Sequence, residues 1–146
     1  MDSAIEEFVQ RKEIAVVGVS RSGRKFGNSA CRELRARGYT VFPVHPEAQE
    51  IDGMRCVPDL ASLRGTVGSV LVSVPAAKVP GVLRAAAAIG VTNVWIQQGA
   101  ASREASLLAE ELRLHVVSGK CILMYAPPVR SMHAWHRALL KYTGRL

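Results

Sequence analysis

Short, strongly apolar segments alternate along this chain with segments of helical periodicity, and this alternation constrains the fold more than any other feature. Strands separated by single helices are typical of βαβ units, in which consecutive strands lie parallel. We therefore predict an α/β fold with a mostly parallel sheet of five or six strands. The apolar runs that predict these strands lie at 14–19, 39–44, 55–57, 69–74, 94–97 and 115–118.

Helices are predicted between these strands from capping residues and apolar faces. Asn28 or Ser29 is expected to cap a helix that ends at Gly38. Further helices are predicted over 78–89 and 102–112. In the second of these we expect three inward-facing residues, Leu107, Leu108 and Leu112.

Composition is consistent with one globular domain spanning residues 1–146. Of these residues, 49% are apolar and 21% are charged, which is enough to bury a core without disulfides or metals. Acidic residues occupy the first positions, where a signal peptide would need apolar ones, and the longest apolar stretch is too short to cross a membrane. We expect a cytoplasmic protein with no transmembrane segment and three free cysteines.

The turn after the first strand has the residue types that a phosphate group requires. Its sequence is Gly18-Val19-Ser20-Arg21-Ser22-Gly23. A glycine allows close backbone approach, serine hydroxyls donate hydrogen bonds, and the following helix adds the positive end of its dipole. Ser20 replaces the middle glycine of G-x-G-x-x-G, so the prediction depends on the strand-turn-helix context. The alternative is a plain tight turn.

Two glycines, one in this turn and one just after it, are predicted to have specific roles. Gly27 is expected to permit an unusual turn just before the helix. A valine at Gly18 is expected to block the phosphates while the fold stays native-like.

The same turn is basic, with Arg21, Arg24 and Lys25 within five residues. The net charge of +7 allows an anionic partner, whether nucleic acid, an anionic membrane surface or a polyphosphate cofactor. These three side chains are placed to neutralise phosphates beside Gly18. A solvated basic turn is the alternative.

The second strand ends in Val44-His45-Pro46, without an acid at its tip. Dinucleotide-binding domains that use NAD place an acidic residue there to bond the ribose hydroxyls. Glu47 follows Pro46 and is expected to turn away. A cofactor with a phosphorylated ribose, NADP or coenzyme A, is therefore favoured over NAD.

Three further strand ends are candidate cofactor contacts. Pro43 and Pro46 are expected to end the second strand abruptly at the cofactor edge. Ser73-Val74-Pro75 ends the fourth main run, and Gln97-Gln98-Gly99 ends the next. For each of these a plain strand end is the alternative.

Taken in order, these segments resemble the coenzyme A-binding domain family, which is similar to the N-terminal domain of the succinyl-CoA synthetase α subunit. The resemblance rests on Gly18-Val19-Ser20, the run 41–46, Ser73-Val74-Pro75 and Gln98-Gly99, and it covers roughly residues 12 to 121. It implies a Rossmann-like, three-layer fold.

The resemblance also implies roles for individual residues. Gly18, Val19 and Ser20 would meet the cofactor phosphates, with Lys25 as a phosphate partner. The segment from Pro43 to Pro46 would flank the adenosine part. The opposite wall would be lined by two residues, Val74 and Pro75.

The chain departs from the synthetase, which carries its phosphorylated histidine in a second domain, so that activity is not carried over. A helical extension is predicted over 122–146, with a helix from about 131 to 142 whose apolar face is Met132, Trp135 and Leu139. This helix is expected to pack on the sheet or on a partner subunit, including a second copy. His133 and His136 are three residues apart, but no acid or cysteine is nearby, so no metal site is predicted.

The sequence therefore predicts a module that binds coenzyme A or an acyl-CoA and has no complete active site. An NADP-binding enzyme or redox sensor is the first alternative. A basic nucleic-acid-binding module is the second, disfavoured because only 5% of residues are aromatic. One thiol is singled out as redox-active, Cys121, because the neighbouring Lys120 favours a thiolate at the end of the last strand.

Overall fold

Five of the six predicted apolar runs form one parallel sheet in the computed structural model, which describes residues 3–127. The five strands of this sheet lie in the order β2-β1-β5-β6-β7, and two short strands, β3 and β4, form a separate hairpin. The strands are β1 (Glu13–Val17), β2 (Thr40–Val44), β3 (Glu50–Ile51), β4 (Met54–Arg55), β5 (Ser69–Val72), β6 (Asn93–Gln97) and β7 (His115–Lys120).

Helices cover both faces of the sheet, as the three-layer prediction requires. They are α1 (Ser3–Gln10), α2 (Phe26–Ala36), α3 (Val79–Ala88) and α4 (Arg103–Glu111). The buried faces of α1 and α2 pack in one apolar cluster with Trp95, and those of α3 and α4 pack in a second cluster with Val70. The Rossmann-like α/β prediction is therefore confirmed.

The region predicted as a short third strand is folded differently. Instead of a strand over 55–57, β3 and β4 pair antiparallel across a tight turn at Asp52 and Gly53, both with positive φ. Val57 makes only an isolated parallel bridge to Val44. The hairpin forms because an Asp-Gly pair adopts the left-handed conformations that a two-residue turn needs.

The last described residues pack against α2. Ile122 and Ala126 are buried, and the Arg37 guanidinium donates to the carbonyl oxygens of Leu123 and Ala126. The predicted helix over 131–142, with its partner-binding role, lies outside the described residues. None of the helices within 3–127 is long and apolar enough to span a membrane.

The inward face of α4 was predicted wrongly at one position. Leu108 is 6% exposed, whereas Leu107 is 55% exposed. The buried residues of α4 are Ala105, Leu108 and Ala109, and their spacing of three and four residues places Leu107 on a different face. Leu112 is partly buried against the same cluster, as predicted.

The two adjacent leucines allow a matched test of this packing. We expect Leu108→Ala to lower the free energy of unfolding by about 2–5 kcal/mol, because it leaves a cavity in the core. Leu107→Ala should change it by less than about 0.5 kcal/mol. Urea unfolding of both variants measures the difference, and equal losses would contradict this orientation of α4.

Candidate nucleotide-binding site

The predicted site residues lie at one edge of the sheet, where the parallel strands end. β1 and β5 are neighbours there, and the chain adds strands in opposite directions on either side of this pair. In open parallel sheets, ligands bind in the crevice outside such a reversal of strand order. The turn after β1 and the segment after β5 therefore form the centre of the candidate site.

Gly18 brings the turn after β1 into direct contact with the end of β5. Its φ is +121°, and a Cβ at this position would lie 1.9 Å from the carbonyl oxygen of Ser73. The Ser73 N–H in turn donates to the Val17 carbonyl at 2.8 Å. Gly18 is therefore required by the contact between two backbone segments, and the expectation that valine here would leave the fold native-like is wrong.

Gly27 provides a second backbone contact at the same place. It lies inside the first turn of α2, and a Cβ on it would be 2.3 Å from the Gly18 carbonyl oxygen. The prediction that Gly27 permits an unusual turn before the helix is wrong, since its function is to let α2 approach the turn. Together Gly18 and Gly27 place the N-terminus of α2 directly over the end of β1.

The N-terminus of α2 differs from the predicted cap. Lys25 is the N-cap residue and provides no side-chain cap. Its carbonyl oxygen accepts from the N–H groups of Asn28 and Ser29, which are therefore inside the helix and do not cap it. Phe26 and Gly27 are the first residues of the helix, so their N–H groups have no hydrogen-bond acceptor within it. These two donors and the helix dipole make this end attractive to an anion.

Asn28 is a residue of the site that sequence reasoning assigned wrongly. Its side chain is fully buried, and its amide binds both backbone groups of Ser20. The Ser20 N–H donates to Asn28 Oδ1 at 2.9 Å, and Asn28 Nδ2 donates to the Ser20 carbonyl at 2.9 Å. This contact holds the turn through a side chain eight residues away, a spacing that no local motif indicates.

Of the three cationic side chains of the turn, one is paired with a carboxylate and two are not paired with any carboxylate of the described residues. Arg21 pairs with Glu47 at 3.4 Å, and both side chains are exposed. Glu47 therefore reaches toward the turn, and the expectation that it turns away is wrong. Arg24 and Lys25 are exposed and have no carboxylate partner within residues 3–127, so they are free to meet phosphates.

The end of β2 forms the adjoining wall. Pro43 is buried in this strand, which lies at the edge of the sheet, and its carbonyl oxygen accepts from Val57 on the outer side. Pro46 is exposed after Val44. His45 Nδ1 accepts the N–H groups of Glu47 and Ala48, so its ring proton lies on Nε2.

The ends of β5 and β6 form the other side. Val74 is half-buried and Pro75 exposed, immediately after the Gly18 contact at Ser73. Gln98 and Gly99 are both exposed beyond the end of β6. The structure thus places the predicted residues of four strand ends along one continuous edge.

The three cysteines have different environments. Burial, with smaller contributions from the nearby Cys56 and Asp52, raises the pKa of the Cys31 thiol to about 12. Burial, with a contribution from Glu50, also raises the pKa of Cys56. Cys121 is half-buried and follows β7, two strands from β5.

Comparisons with known proteins agree with this geometry. The family described as CoA binding domain matches residues 12–127. The chain belongs to this family. It is 30% identical over 119 residues to YneT of Bacillus subtilis (strain 168), covering 81% of this chain and 88% of YneT.

Two further relatives extend the comparison. The chain is 29% identical over 120 residues to acetate–CoA ligase [ADP-forming] II of Archaeoglobus fulgidus, covering 80% of this chain but only 18% of the ligase. It therefore corresponds to one region of that enzyme. A solved structure from Pyrococcus horikoshii OT3 is 30% identical, with a TM-score of 0.76, covering 84% of this chain and 87% of that one. The predicted family resemblance is confirmed.

The contact between Gly18 and Ser73 predicts a specific cost of substitution. Gly18→Ala should lower the free energy of unfolding by more than about 2 kcal/mol, because the methyl group cannot be accommodated against a carbonyl oxygen. Gly90→Ala is the matched control: Gly90 also has a positive φ, but a Cβ there has nothing within 4 Å. Thermal and urea unfolding measure both variants, and equal losses would show that only the backbone conformation matters at Gly18.

Proposed function

We propose that this chain binds coenzyme A or an acyl-CoA at the carboxyl edge of its sheet, as a stand-alone module that does not itself catalyse a reaction. The observation that carries the proposal is the turn from Gly18 to Lys25. It brings the open N-terminus of α2 to the reversal of strand order and carries two cations, Arg24 and Lys25, that have no carboxylate partner among the described residues. Membership of the CoA binding domain family supports coenzyme A as the class of ligand.

The donors of this turn and of the start of α2 would bind the phosphates of coenzyme A. The N–H groups of Phe26 and Gly27 would bind pyrophosphate oxygens, with support from the Ser20 and Ser22 hydroxyls, which lie 2.8 Å apart. Arg24 and Lys25 would neutralise the remaining charge, and Arg21 would join them by leaving Glu47.

The rest of the cofactor would extend along the same edge in both directions. The adenosine part would lie beside Pro43, Val44, His45 and Pro46, and the Nε2–H of His45 is available as a donor. The pantetheine arm would cross Val74 and Pro75 toward Gln98 and Gly99. With this direction the thiol would lie on the side of the sheet where β6 and β7 end.

Binding of coenzyme A should stabilise the fold measurably. At about 100 times the dissociation constant, the ligand should add about 2.7 kcal/mol to the free energy of unfolding, which raises Tm by several degrees. NAD at the same concentration should have much less effect. Differential scanning fluorimetry with coenzyme A, NADP, NAD and a short DNA duplex compares the cofactor with its alternatives.

Each outcome of this comparison has a clear meaning. Greater stabilisation by NADP than by coenzyme A would favour the alternative of an NADP-binding enzyme or redox sensor, and greater stabilisation by the duplex would favour a nucleic-acid-binding module.

The double variant Arg24→Ala/Lys25→Ala should lose most of the shift in Tm with coenzyme A, whereas Arg84→Ala, which removes an exposed cation on α3, should retain it. Release of free thiol from acetyl-CoA by the protein would contradict a purely binding role.

We also propose that the Cys121 thiol exchanges with coenzyme A disulfide. Its thiolate would attack one sulfur of that disulfide, form a mixed disulfide with one coenzyme A and release the other as a thiol. Peptide mass spectrometry after treatment with coenzyme A disulfide should find the adduct at Cys121 and not at Cys31, whose raised pKa keeps it protonated. Equal modification of all three cysteines, or modification confined to Cys56, would remove the reason to single out Cys121.

A further inference from the structure

We propose that Asp52, at the tip of the β3–β4 hairpin, is a positioning residue for the phosphate-binding turn and acts on it through Asn28 and Arg32. This inference rests on the proposed function for its consequence, which is affinity for coenzyme A. The positioning itself is a property of the ligand-free protein. Asp52 lies 24 residues along the chain from Asn28, beyond β2, and belongs to none of the motifs that predicted the site.

The first link runs through the buried amide of Asn28. Its Nδ2 group donates to Asp52 Oδ2 at 3.2 Å as well as to the Ser20 carbonyl at 2.9 Å. An ionised carboxylate only accepts hydrogen bonds, so it requires the nitrogen of the amide to face it. This orientation turns Oδ1 toward Ser20, whose N–H it accepts at 2.9 Å. Asp52 therefore reinforces the amide orientation that binds both backbone groups of Ser20.

The second link runs through Arg32 to the other end of the turn. Arg32 Nη1 lies 2.8 Å from Asp52 Oδ2 and also donates to the Gly23 carbonyl at 3.3 Å. A Cβ on Gly23 would come within 3.2 Å of Asp52 Oδ1, so the carboxylate also lies directly against this glycine. One carboxylate thus supports the turn at Ser20 and at Gly23, on either side of Arg21 and Ser22.

The hairpin holds this carboxylate in place. Ile51 and Met54 flank the turn and are 4% and 6% exposed, in the same apolar cluster as Cys31 of α2. Asp52 and Gly53 have φ of +52° and +76°, as a tight two-residue turn requires. The side chain of Asp52 is 25% exposed, so the ion pair with Arg32 is partly shielded from water. The β3–β4 hairpin therefore supports the phosphate-binding turn through the side chain of Asp52.

The positive φ of Asp52 determines which variants test this proposal. Asp52→Gly removes the carboxylate and keeps the turn, because glycine adopts a positive φ without strain. Asp52→Asn keeps both the turn and an oxygen acceptor for Asn28 and Arg32, since asparagine also tolerates this conformation. Glu50→Ala is the matched control: it removes one exposed carboxylate from the same hairpin, outside the contacts described above.

The decisive measurement is hydrogen exchange of the Ser20 amide by NMR in the protein without ligand. Asp52→Gly should accelerate this exchange by about tenfold, while exchange at Val70 in the core of β5 stays unchanged. Asp52→Asn should stay close to the wild type, as should Glu50→Ala. Unchanged Ser20 exchange in Asp52→Gly, or equal acceleration at Val70, would overturn the positioning role.

Titration with coenzyme A then tests the consequence separately. Asp52→Gly should weaken binding about tenfold, and Asp52→Asn should restore most of the affinity. Faster Ser20 exchange with unchanged affinity for coenzyme A would overturn the link between this contact and binding. Failure of the wild-type protein to bind coenzyme A would instead overturn the proposed function, while Ser20 exchange still decides whether Asp52 positions the turn.

Discussion

The contact between Gly18 and the Ser73 carbonyl is the constraint on which the rest of the site depends. Two strands that run side by side end at this point, and the chain leaving β1 must pass directly over the end of β5. Only a residue without a side chain leaves room for that path. Gly27 in α2 likewise has no room for a side chain, because the Gly18 carbonyl lies against it. Two close backbone contacts therefore hold the N-terminus of the helix at the crevice.

A turn held in this way needs little rearrangement to receive a ligand. The Asn28 amide satisfies both backbone groups of Ser20, and the Ser22 hydroxyl accepts the Arg24 N–H at 3.2 Å. The backbone groups of Ser20 and the Arg24 N–H are therefore occupied by the protein itself, whereas the N–H groups at the start of α2 have no acceptor within the helix. Affinity benefits when a binding loop has already lost its conformational freedom before the ligand arrives.

Much of the fold could be predicted from the sequence because its main strands are local apolar runs with clear turns between them. Strand ends that carry Gly18, Val44, Val74 and Gln98 follow from the same pattern, since parallel strands end at one edge. The contacts between these segments could not be predicted. The clearest case is Asn28: its residue type suits a helix cap, and only the position of Ser20 in space shows that the amide binds the turn.

Glu47 and Leu107 were misplaced for related reasons. Glu47 is exposed and follows a proline, so no hydrophobic periodicity indicates the direction of its side chain. It pairs with Arg21 because β2 and β1 end side by side. Leu107 and Leu108 are adjacent, and either one could belong to the apolar face of a helix when only the approximate spacing of apolar residues is considered. The packing of α4 on the sheet then decides which of the two leucines enters the core.

Pro43 has a consequence for how molecules of this protein behave toward one another. β2 is an edge strand, and an edge with free N–H and carbonyl groups invites pairing with a strand of a second molecule. The ring nitrogen of Pro43 faces outward and has no hydrogen to offer, while Val57 occupies the Pro43 carbonyl and the His45 N–H. An intermolecular ladder at the carboxyl end of β2 would therefore find no donor at Pro43 and no free acceptor there, which disfavours edge-to-edge pairing of two molecules at this position.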